Sequence, residues 1–306
     1  MALTLYLAVM LDAILGDPRK FPHPVKFIGK IIAFWHKIFF NGNNSFFRGL
    51  AVVVMTLLTT GLLVGGLLFL TDGNAAVQVY FLYSALAWRD LKDETAPVFF
   101  SLMNQNLNEA RKFLSFVVGR DTENLNENEI ARAAVETIAE NSVDGVISVI
   151  FFAAVGSLLN SSWGMCLSVW LFKSASTLDS MLGYEKFGRY GTASARLDDT
   201  LNFIPARLAG LVIILSGFLT GGRPGAFRVF LNDRLKHKSP NSAHAESAFA
   251  GVLGIRLGGG AFYGGKFESR PFLNENGSLP AAMDILRAWR LLDVSCFLTV
   301  AIMSIL

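Results

Sequence analysis

The chain has 306 residues and a formal net charge of +3, and 52% of its residues are hydrophobic. A mean hydropathy of +0.44, with apolar runs along the whole length, argues against separate soluble domains and predicts one membrane-embedded domain over residues 1–306. The two cysteines, Cys166 and Cys296, lie in apolar runs. They indicate neither a disulfide framework nor a zinc site, so any bound metal would need oxygen ligands.

Apolar runs mark the candidate membrane segments. The clearest is Leu50–Leu70, 21 residues without a charge, which as a helix spans roughly 30 Å, the thickness of the hydrocarbon core. The whole set lies near residues 1–15, 50–70, 75–88, 146–172, 203–219 and 291–306. We expect four to six crossings. The predicted fold is all-α: a polytopic integral membrane protein with amphipathic interfacial helices and cytosolic loops that carry the polar motifs.

The N-terminal region predicts a membrane segment followed by a surface helix. Residues 1–15 contain Asp12 and lack a basic region and a small-residue cleavage site, so a removable signal peptide is not expected. Prolines at positions 18, 22 and 24 forbid a regular helix there. Phe27–Phe40 then has the pattern of an amphipathic helix at the membrane surface. Basic residues gather in the connecting segments, which indicates that these segments are cytoplasmic rather than that they bind nucleic acid.

Three acids, Glu136, Glu140 and Asp144, recur at four-residue spacing. On a helix they share one face, drifting by about 40° per step. Carboxylates beside a membrane-embedded wall are costly unless they bind a divalent cation, a polyphosphate–metal complex or a cationic substrate. The alternative is a solvated face with an Arg132–Glu136 ion pair. That pair would leave Glu140, Asn141 and Asp144 without a role.

A second polar block runs from Lys173 to Gly210. Asp198 and Asn202 share a helix face there, and Asp199 is adjacent. Arg207 lies in the next apolar segment, where an unpaired guanidinium is costly. A carboxylate or phosphate partner is therefore expected, and the guanidinium fork suits phosphate. An ion pair of Arg207 with Asp198 or Asp199 would explain it equally well.

The segment 146–172 is either one long span or a re-entrant pair. A single crossing would put the Lys173–Asn202 block on the opposite side of the membrane from the acidic helix. Since we expect both blocks to contribute to one site, we predict a break near Asn160–Ser162 or an even number of crossings.

A third polar block runs from Ser239 to Gly260. Its first residues predict a turn and a helix cap, with Glu246 one turn into the helix. The four histidines are expected to be ordinary interfacial residues rather than catalytic bases. Gly260–Phe267 nearly matches a phosphate-binding P-loop, but Phe267 stands where Ser or Thr should bind magnesium and no convincing strand precedes it. We therefore reject a P-loop here.

Taken in order, the polar blocks resemble one family. They are LDAILGDPRKFPHPVKFIGK, VETIAENSVDGVIS, TLDSMLGYEKFGRYGTASARLDDTLNFIPARL and SPNSAHAESAFAGVLGIRLGG. These blocks are similar to those of adenosylcobinamide-phosphate synthase, the CobD/CbiB family of cobalamin biosynthesis, and they extend from residue 11 to about residue 265. One departure is Val149, where a proline is expected. The resemblance implies an integral inner-membrane acid–amine ligase whose active site faces the cytosol.

The reaction implied by the resemblance joins the carboxylate of adenosylcobyric acid to (R)-1-aminopropan-2-ol or its O-phosphate, with consumption of ATP and a need for Mg²⁺. Activation as an acyl phosphate relies on positioning and on cations rather than on a protein nucleophile, and no nucleophile motif occurs in the chain. Membrane lipid and other membrane-bound late cobalamin enzymes are further expected partners. The rival interpretations are a transporter and a non-catalytic membrane sensor.

The resemblance also implies groups of site residues. The candidate catalytic acids would hold Mg²⁺–ATP (Glu136, Glu140 and Asp144) and a second metal or the amine (Asp198 and Asp199, with Asn202). Phosphate and other substrate groups would be bound by Lys173, Arg196, Arg207, Asn141, Asn202, Asn241 and Glu246. Asp12 and Asp17, at the end of the first segment, are expected to face the same pocket.

Overall fold

The computed structural model describes residues 2–17, 23–40, 42, 45–159, 163–183 and 185–305. The chain is predominantly helical, which confirms the predicted fold class. Short strands between residues 257 and 273 are the exception. Helical structure prevails because the apolar runs are long and continuous, and a helix satisfies its backbone hydrogen bonds within one segment.

The helices are α1 (Ala2–Leu15), α2 (Pro24–Phe39), α3 (Phe46–Leu70), α4 (Ala75–Tyr83), α5 (Trp88–Met103), α6 (Leu107–Leu114), α7 (Glu127–Ser142), α8 (Ser148–Ser157), α9 (Gly164–Leu182), α10 (Thr192–Leu201), α11 (Phe203–Leu219), α12 (Ala226–Asp233), α13 (Ser242–Leu253) and α14 (Ala282–Met303). A π-helical turn, Val143–Ile147, follows α7, and a 3-10 helix, Glu185–Tyr190, follows α9. The strands are β1 (Leu257–Gly258), β2 (Ala261–Tyr263), β3 (Lys266–Glu268) and β4 (Phe272–Leu273). β1 pairs antiparallel with β4, and β2 pairs antiparallel with β3.

The chain divides into two compact units. The first comprises the described residues of segments 1–87, 148–202 and 302–306, and the second those of segments 88–147 and 203–301. Each unit is assembled from segments that are distant in the sequence.

Within the described ranges, two helices are long and apolar enough to cross a bilayer, Phe46–Leu70 and Glu127–Ser157. A third would be counted if α10 and α11 formed one bent span. Fewer of the described helices meet these criteria than the four to six crossings expected from the sequence, and the number of crossings stays a prediction. The run at 75–88 forms a helix of 9 residues, and α11 has 17 residues. Most of the run at 291–306 belongs to α14, whose first twelve residues include four charged side chains (Asp284, Arg287, Arg290 and Asp293).

In the first unit, the part of segment 146–172 that begins at Ser148 turns back on itself. α8 ends at Ser157 and α9 begins at Gly164, while the predicted break at Asn160–Ser162 lies outside the described residues. The two helices pack closely: Phe152 stacks on Phe172 with 4.8 Å between ring centroids, and the Ser168 hydroxyl donates to the Phe152 carbonyl at 2.6 Å. The segment is thus a helical hairpin and not one long span.

Glycines allow this close packing, which predicts a large effect for one substitution. A Cβ atom added at Gly156 would collide with the Gly164 carbonyl and the Ser168 hydroxyl. We expect Gly156→Ala to lower the free energy of unfolding by about 1–3 kcal/mol, since overpacking forces backbone shifts. Gly66→Ala in α3 is the matched control, because a Cβ there meets open space. Thermal unfolding in detergent measures both, and equal melting temperatures would contradict the packing argument.

Helix α2 agrees with the predicted amphipathic helix. Pro24 occupies its first turn, and the His23 ring nitrogen Nδ1 accepts a hydrogen bond from the Val25 amide at 3.2 Å. Ile28 and Ile32 are buried, whereas the opposite side exposes Phe27, Phe34 and Ile38 and carries Lys26, Lys30 and Lys37. Exposed aromatic side chains beside lysines suit the membrane interface.

In the second unit, α13 is the central element. All of its residues after Ser242 are buried, including Glu246 and His244. Small residues make this burial possible: a Cβ added at Gly217 of α11 would meet Val252 of α13, and one added at Gly251 would meet the backbone of Ala226. Close packing therefore removes two ionisable side chains of α13 from solvent.

Candidate active site

An acid–arginine cluster lies in the second unit, centred on Glu136 of α7. Its carboxylate is 2.7 Å from the Arg120 guanidinium and 3.8 Å from that of Arg132. It also accepts a hydrogen bond from the Gly258 amide at 2.8 Å. Glu136 is 7% exposed. These partners include the predicted alternative, the Arg132–Glu136 pair, and add a second arginine, while a magnesium role for Glu136 stays a prediction.

Arg132 of α7 is hydrogen-bonded to the glycine-rich segment Gly258–Gly260. Its guanidinium donates to the carbonyl oxygens of Gly258 and Gly260. Gly258, Gly259 and Gly260 all have positive φ, between 79° and 90°, which other residues rarely adopt. The three glycines are therefore explained by the positive φ angles that the backbone of this segment adopts.

The turn between β2 and β3 is stabilised by a side chain of the protein. Asp121 accepts hydrogen bonds from the amides of Gly264 at 3.0 Å and Gly265 at 2.7 Å. A P-loop would direct such amides at a phosphate. Their use by a carboxylate agrees with the rejection of that motif.

Glu246 reaches the same cluster from α13. It is 4% exposed, and no side chain or backbone group in the described ranges donates a hydrogen bond to it. It lines a small cavity of about 10 Å³, close to what one water molecule requires, together with Arg120, Glu136, His237, Gly258, Gly260, Ala261, Tyr263 and Arg270. The predicted binding residue Glu246 thus faces the acidic helix.

The environment of Glu246 opposes its ionisation. Burial raises the pKa of this carboxyl well above its ordinary value, and the negative charges of Glu140 and Glu136 raise it further, while Arg270 and Arg120 partly offset the shift. Burial lowers the pKa of His237, and the positive charge of Arg270 lowers it further. A carboxylate with a raised pKa is a stronger base than an ordinary one, which suits it to proton transfer.

The other two acids of the four-residue series lie further along the chain. Glu140 is exposed and Asp144 is half-buried, and Asp144 lies in the π-helical turn. Such turns often occur at functional sites. The Asn141 side chain donates to the Thr137 carbonyl at 2.9 Å.

Metal ligation was predicted for Glu136, Glu140 and Asp144. In the part of the chain that the structure describes, no group of three or more His, Cys, Asp or Glu side chains could hold a metal ion. Mg²⁺ needs fewer protein ligands, since it commonly binds one or two carboxylates together with waters and substrate phosphates. Glu140 and Asp144 supply oxygen donors that fit this ion.

Arg207 and Asn241, both predicted to bind substrate, contact each other. The Arg207 guanidinium donates to Asn241 Oδ1 at 3.3 Å and to the Phe203 carbonyl at 2.6 Å, and it stacks on the Phe203 ring. Asn241 occupies the predicted N-cap position of α13, but its side chain makes no capping hydrogen bond. Contact with Arg207 therefore accounts for this asparagine better than helix capping does.

His244 is buried, 1% exposed, and so is not the interfacial residue that the sequence predicted. Burial, with Arg207 and Arg234 nearby, lowers its pKa to about 4. Its ring nitrogen Nδ1 has no hydrogen-bond partner among the described residues. The imidazole is therefore neutral at physiological pH and packs near the Phe230 ring.

This burial predicts a pH-dependent stability. Because the folded-state pKa of His244 lies below its ordinary 6.5, the unfolded state takes up a proton first. Stability is lost as pH falls from 6.5 towards 4, by about 3 kcal/mol for a shift of this size. We expect His244→Gln to lose less stability over this range, as measured by denaturant unfolding. Between pH 7 and 8 the two proteins should show parallel slopes, and parallel slopes below pH 6.5 as well would contradict the assignment.

In the first unit, the predicted helix face of Asp198 and Asn202 is confirmed. The Asn202 amide nitrogen lies 3.2 Å from both Asp198 carboxylate oxygens, and its oxygen accepts from the Ser148 hydroxyl at 2.8 Å. Burial raises the pKa of Asp179, and the charge of Asp199 raises it further, so these two acids lie near each other. Arg196 is exposed.

A second polar cluster of the first unit includes Asp12 and Asp17. The His23 ring nitrogen Nε2 lies 3.3 Å from the Asp17 carboxylate. Burial raises the pKa of Tyr83, and so do the charges of Asp17 and Asp12. Lys173 lies close enough to lower the pKa of His23, although burial is the larger cause. Lys173 thus lies near His23, and both aspartates lie near Tyr83, while the union of these residues with the acidic helix in one pocket stays a prediction.

Sequence reasoning missed the basic partners of the cluster. Arg120, Arg270 and the half-buried His237 come from loop segments without a motif. A buried acid such as Glu136 signals that a cation must lie nearby. No spacing rule identifies a partner that is 16 residues earlier in the sequence.

The fold and this cluster define a class: a helical integral membrane protein with a buried acid–arginine cluster in its second unit. The chain belongs to the CobD/CbiB protein family, whose model matches residues 5–292.

Curated relatives agree with the family match over nearly the full length. A protein of Clostridium tetani, named cobalamin biosynthesis protein CobD, is 40% identical over 279 residues, covering 88% of this chain and 86% of its own. Proteins of the same name from Pelobacter propionicus and Clostridium perfringens are 43% and 38% identical, covering 89% and 97% of this chain and 84% and 95% of their own. No solved structure matches the chain significantly.

Proposed function

We propose that this protein acts in cobalamin biosynthesis as an adenosylcobinamide-phosphate synthase of the inner membrane, with its site facing the cytosol. It would join the carboxylate of adenosylcobyric acid to (R)-1-aminopropan-2-ol or its O-phosphate with consumption of ATP. Family membership supports the pathway. The observation that carries the chemistry is the buried cluster of Glu136 and Glu246 with Arg120, Arg132 and Arg270.

Amide formation needs an activated carboxylate and an amine that has lost its proton. Glu246 suits the second task, because it is buried, accepts no hydrogen bond from the described residues and has a raised pKa. A general base works best when its pKa lies near the working pH. Glu246 would accept the proton that the substrate ammonium releases.

The arginines of the cluster are suited to the activation of the substrate carboxylate. Phosphoryl transfer to a carboxylate needs positive charge fixed around the transferring group. Arg120 and Arg270 flank the Glu246 cavity, and Glu136 holds Arg120 in place through a 2.7 Å ion pair. We assign Glu136 this positioning role. Guanidinium groups held by a buried carboxylate cost little reorganisation when substrate charge develops.

Mg²⁺ would be held by Glu140 and Asp144, with Asn141 nearby. When bound, it would neutralise charge on the substrate phosphates. In the first unit, Lys173, Arg196 and the Asp198–Asp199–Asn202 group are proposed to bind phosphate and the amine or a second metal.

The test of the function is ATP-dependent amide formation by the purified protein, with restored growth on cobyric acid in a strain that cannot make cobinamide. A transporter or a sensor would support neither. If the purified protein turns over no ATP with both substrates present, the proposal is wrong.

The magnesium assignment predicts a specific kinetic change. We expect Glu140→Gln and Asp144→Asn each to raise the Mg²⁺ concentration for half-maximal synthesis by about tenfold or more, because each removes a charged oxygen donor. Glu127→Gln, an exposed acid in the first turn of the same helix, is the control. An unchanged Mg²⁺ titration in both variants would remove these residues from the metal site.

A further inference from the structure

A larger cavity lies in the second unit and shares Gly260 with the lining of the small cavity at Glu246. Its volume is about 390 Å³, within the range of small-molecule sites. Its walls come from the first half of α7, the glycines, the strands β3 and β4 and the segment before α14 (Asn126, Asn128, Glu129, Arg132, Arg256, Gly259, Gly260, Phe267, Phe272, Leu279 and Pro280). Neither the sequence motifs nor the proposed function assigns it a ligand.

One arginine in the polar part of this cavity has no carboxylate partner in the part of the chain that the structure describes. Arg256 is half-buried, and no carboxylate among the described residues forms an ion pair with it. The second arginine in the wall, Arg132, is already paired with Glu136 at 3.8 Å and donates to the carbonyl oxygens of Gly258 and Gly260. Glu129 is the one acid in the wall, and its carboxylate caps α7 by accepting from the Asn126 amide at 2.8 Å.

The cap reduces what the helix end can offer an anion. The N-terminus of α7 is closed by a reciprocal capping box of Asn126 and Glu129, so the amides of these two residues are already used. Within the described ranges, the positive charge without a carboxylate partner in this cavity is that of Arg256.

The apolar part of the cavity is aromatic. The Arg256 guanidinium lies over the Phe272 ring at 4.6 Å from its centroid. Phe267 and Leu279 are 55% and 54% exposed, although both border the cavity. An aromatic face beside a guanidinium binds flat heterocycles by stacking. Asn128 donates to the Pro280 carbonyl at 2.8 Å, which fixes its amide at the wall.

We propose that this cavity binds a nucleotide, with the base against Phe272 and Phe267 and the phosphates at Arg256. The identification of that nucleotide as ATP rests on the proposed function. Glu140 lies eight residues beyond Arg132 on the same helix, about 12 Å along its axis, a distance that an extended nucleotide can cover. The base would then lie at the glycine-rich segment and the terminal phosphate towards the magnesium residues.

The experiment is equilibrium binding of radiolabelled ATP to the purified full-length protein in nanodiscs, with neither corrinoid nor amine present. We expect Arg256→Ala to weaken ATP binding at least tenfold, and Arg256→Lys to have an intermediate effect, since lysine keeps the charge but loses the planar stack. Phe272→Ala should weaken binding of ATP but not of inorganic pyrophosphate. The matched control is Arg234→Ala, because Arg234 also lies over a phenylalanine ring, at 5.7 Å, but does not border the cavity.

Wild-type ATP affinity in Arg256→Ala, with an unchanged melting temperature, would overturn the proposal. So would competition for the site by the corrinoid acid instead of by adenine nucleotides. The binding assay contains neither corrinoid nor amine. It therefore tests the nucleotide site independently of the proposed amide synthesis. ATP binding at Arg256 without amide synthesis would defeat the function alone, and full synthesis by Arg256→Ala would defeat this site alone.

Discussion

Replacing Glu136 by alanine is expected to lower the free energy of unfolding by about 3–5 kcal/mol, because it leaves the buried Arg120 guanidinium without its carboxylate. Arg120 is 10% exposed and its ion pair with Glu136 measures 2.7 Å. The Gly258 amide would lose its acceptor as well. Denaturant unfolding in detergent, followed by helical circular dichroism, measures the change.

The control for Glu136→Ala is Asp93→Ala. Asp93 pairs with Arg89 at 2.9 Å, but both side chains are largely exposed, and such pairs contribute under about 1 kcal/mol. Glu136→Gln should fall between the two, since its amide oxygen can still accept from Gly258. If Glu136→Ala proved as mild as Asp93→Ala, the cluster would not be a stabilising feature and its positioning role would be lost.

Replacing Glu246 by glutamine is expected to slow amide formation by about 10²–10⁴-fold while the fold is retained, because glutamine has the same shape but cannot accept the proton of the amine. Single-turnover synthesis with all substrates saturating measures this. The matched control is Glu275→Gln, an exposed acid of the same unit. A rate within twofold of the wild-type rate would exclude Glu246 as the proton acceptor.

Glu246→Gln is also expected to change how stability depends on pH. The folded-state pKa of Glu246 is raised above its ordinary 4.5, so the folded protein keeps a proton that the unfolded chain releases. The stability that this group contributes is present below pH 4.5 and is lost as pH rises above it. Glu246→Gln has no proton to lose, and its melting temperature should fall less between pH 5 and 8. An identical fall in both proteins would show that Glu246 ionises normally.

The acidic helix shows how far spacing rules extend. The four-residue interval placed Glu136 and Glu140 on one side of α7, and both act on the pKa of Glu246. The interval did not reveal that Asp144 falls in a π-helical turn, because that depends on backbone hydrogen bonds and not on residue type. Nor did it distinguish buried Glu136 from exposed Glu140, since their burial depends on which segments pack against each turn.

The membrane segments show a similar division. Residues 50–70 formed a bilayer-length helix because nothing in the run interrupts it, whereas the run at 75–88 ended early at Tyr83. A break between α8 and α9 was one of two alternatives predicted, because both polar blocks were expected to contribute to one site. The close packing of these two helices depends on Gly156 meeting Gly164, two glycines whose pairing is invisible until the helices are side by side.

The amino-acid sequence by itself determined the helical class, the membrane character, the family and the polar blocks, because these follow from local composition and from residue order. Only the tertiary structure decided which charges meet: Arg120, Arg270 and His237 around Glu136 and Glu246, and Arg256 with Phe272 at the second cavity. Ionisation and ligand binding depend on distance and on exclusion of water. Both are set by contacts between residues that lie far apart in the chain.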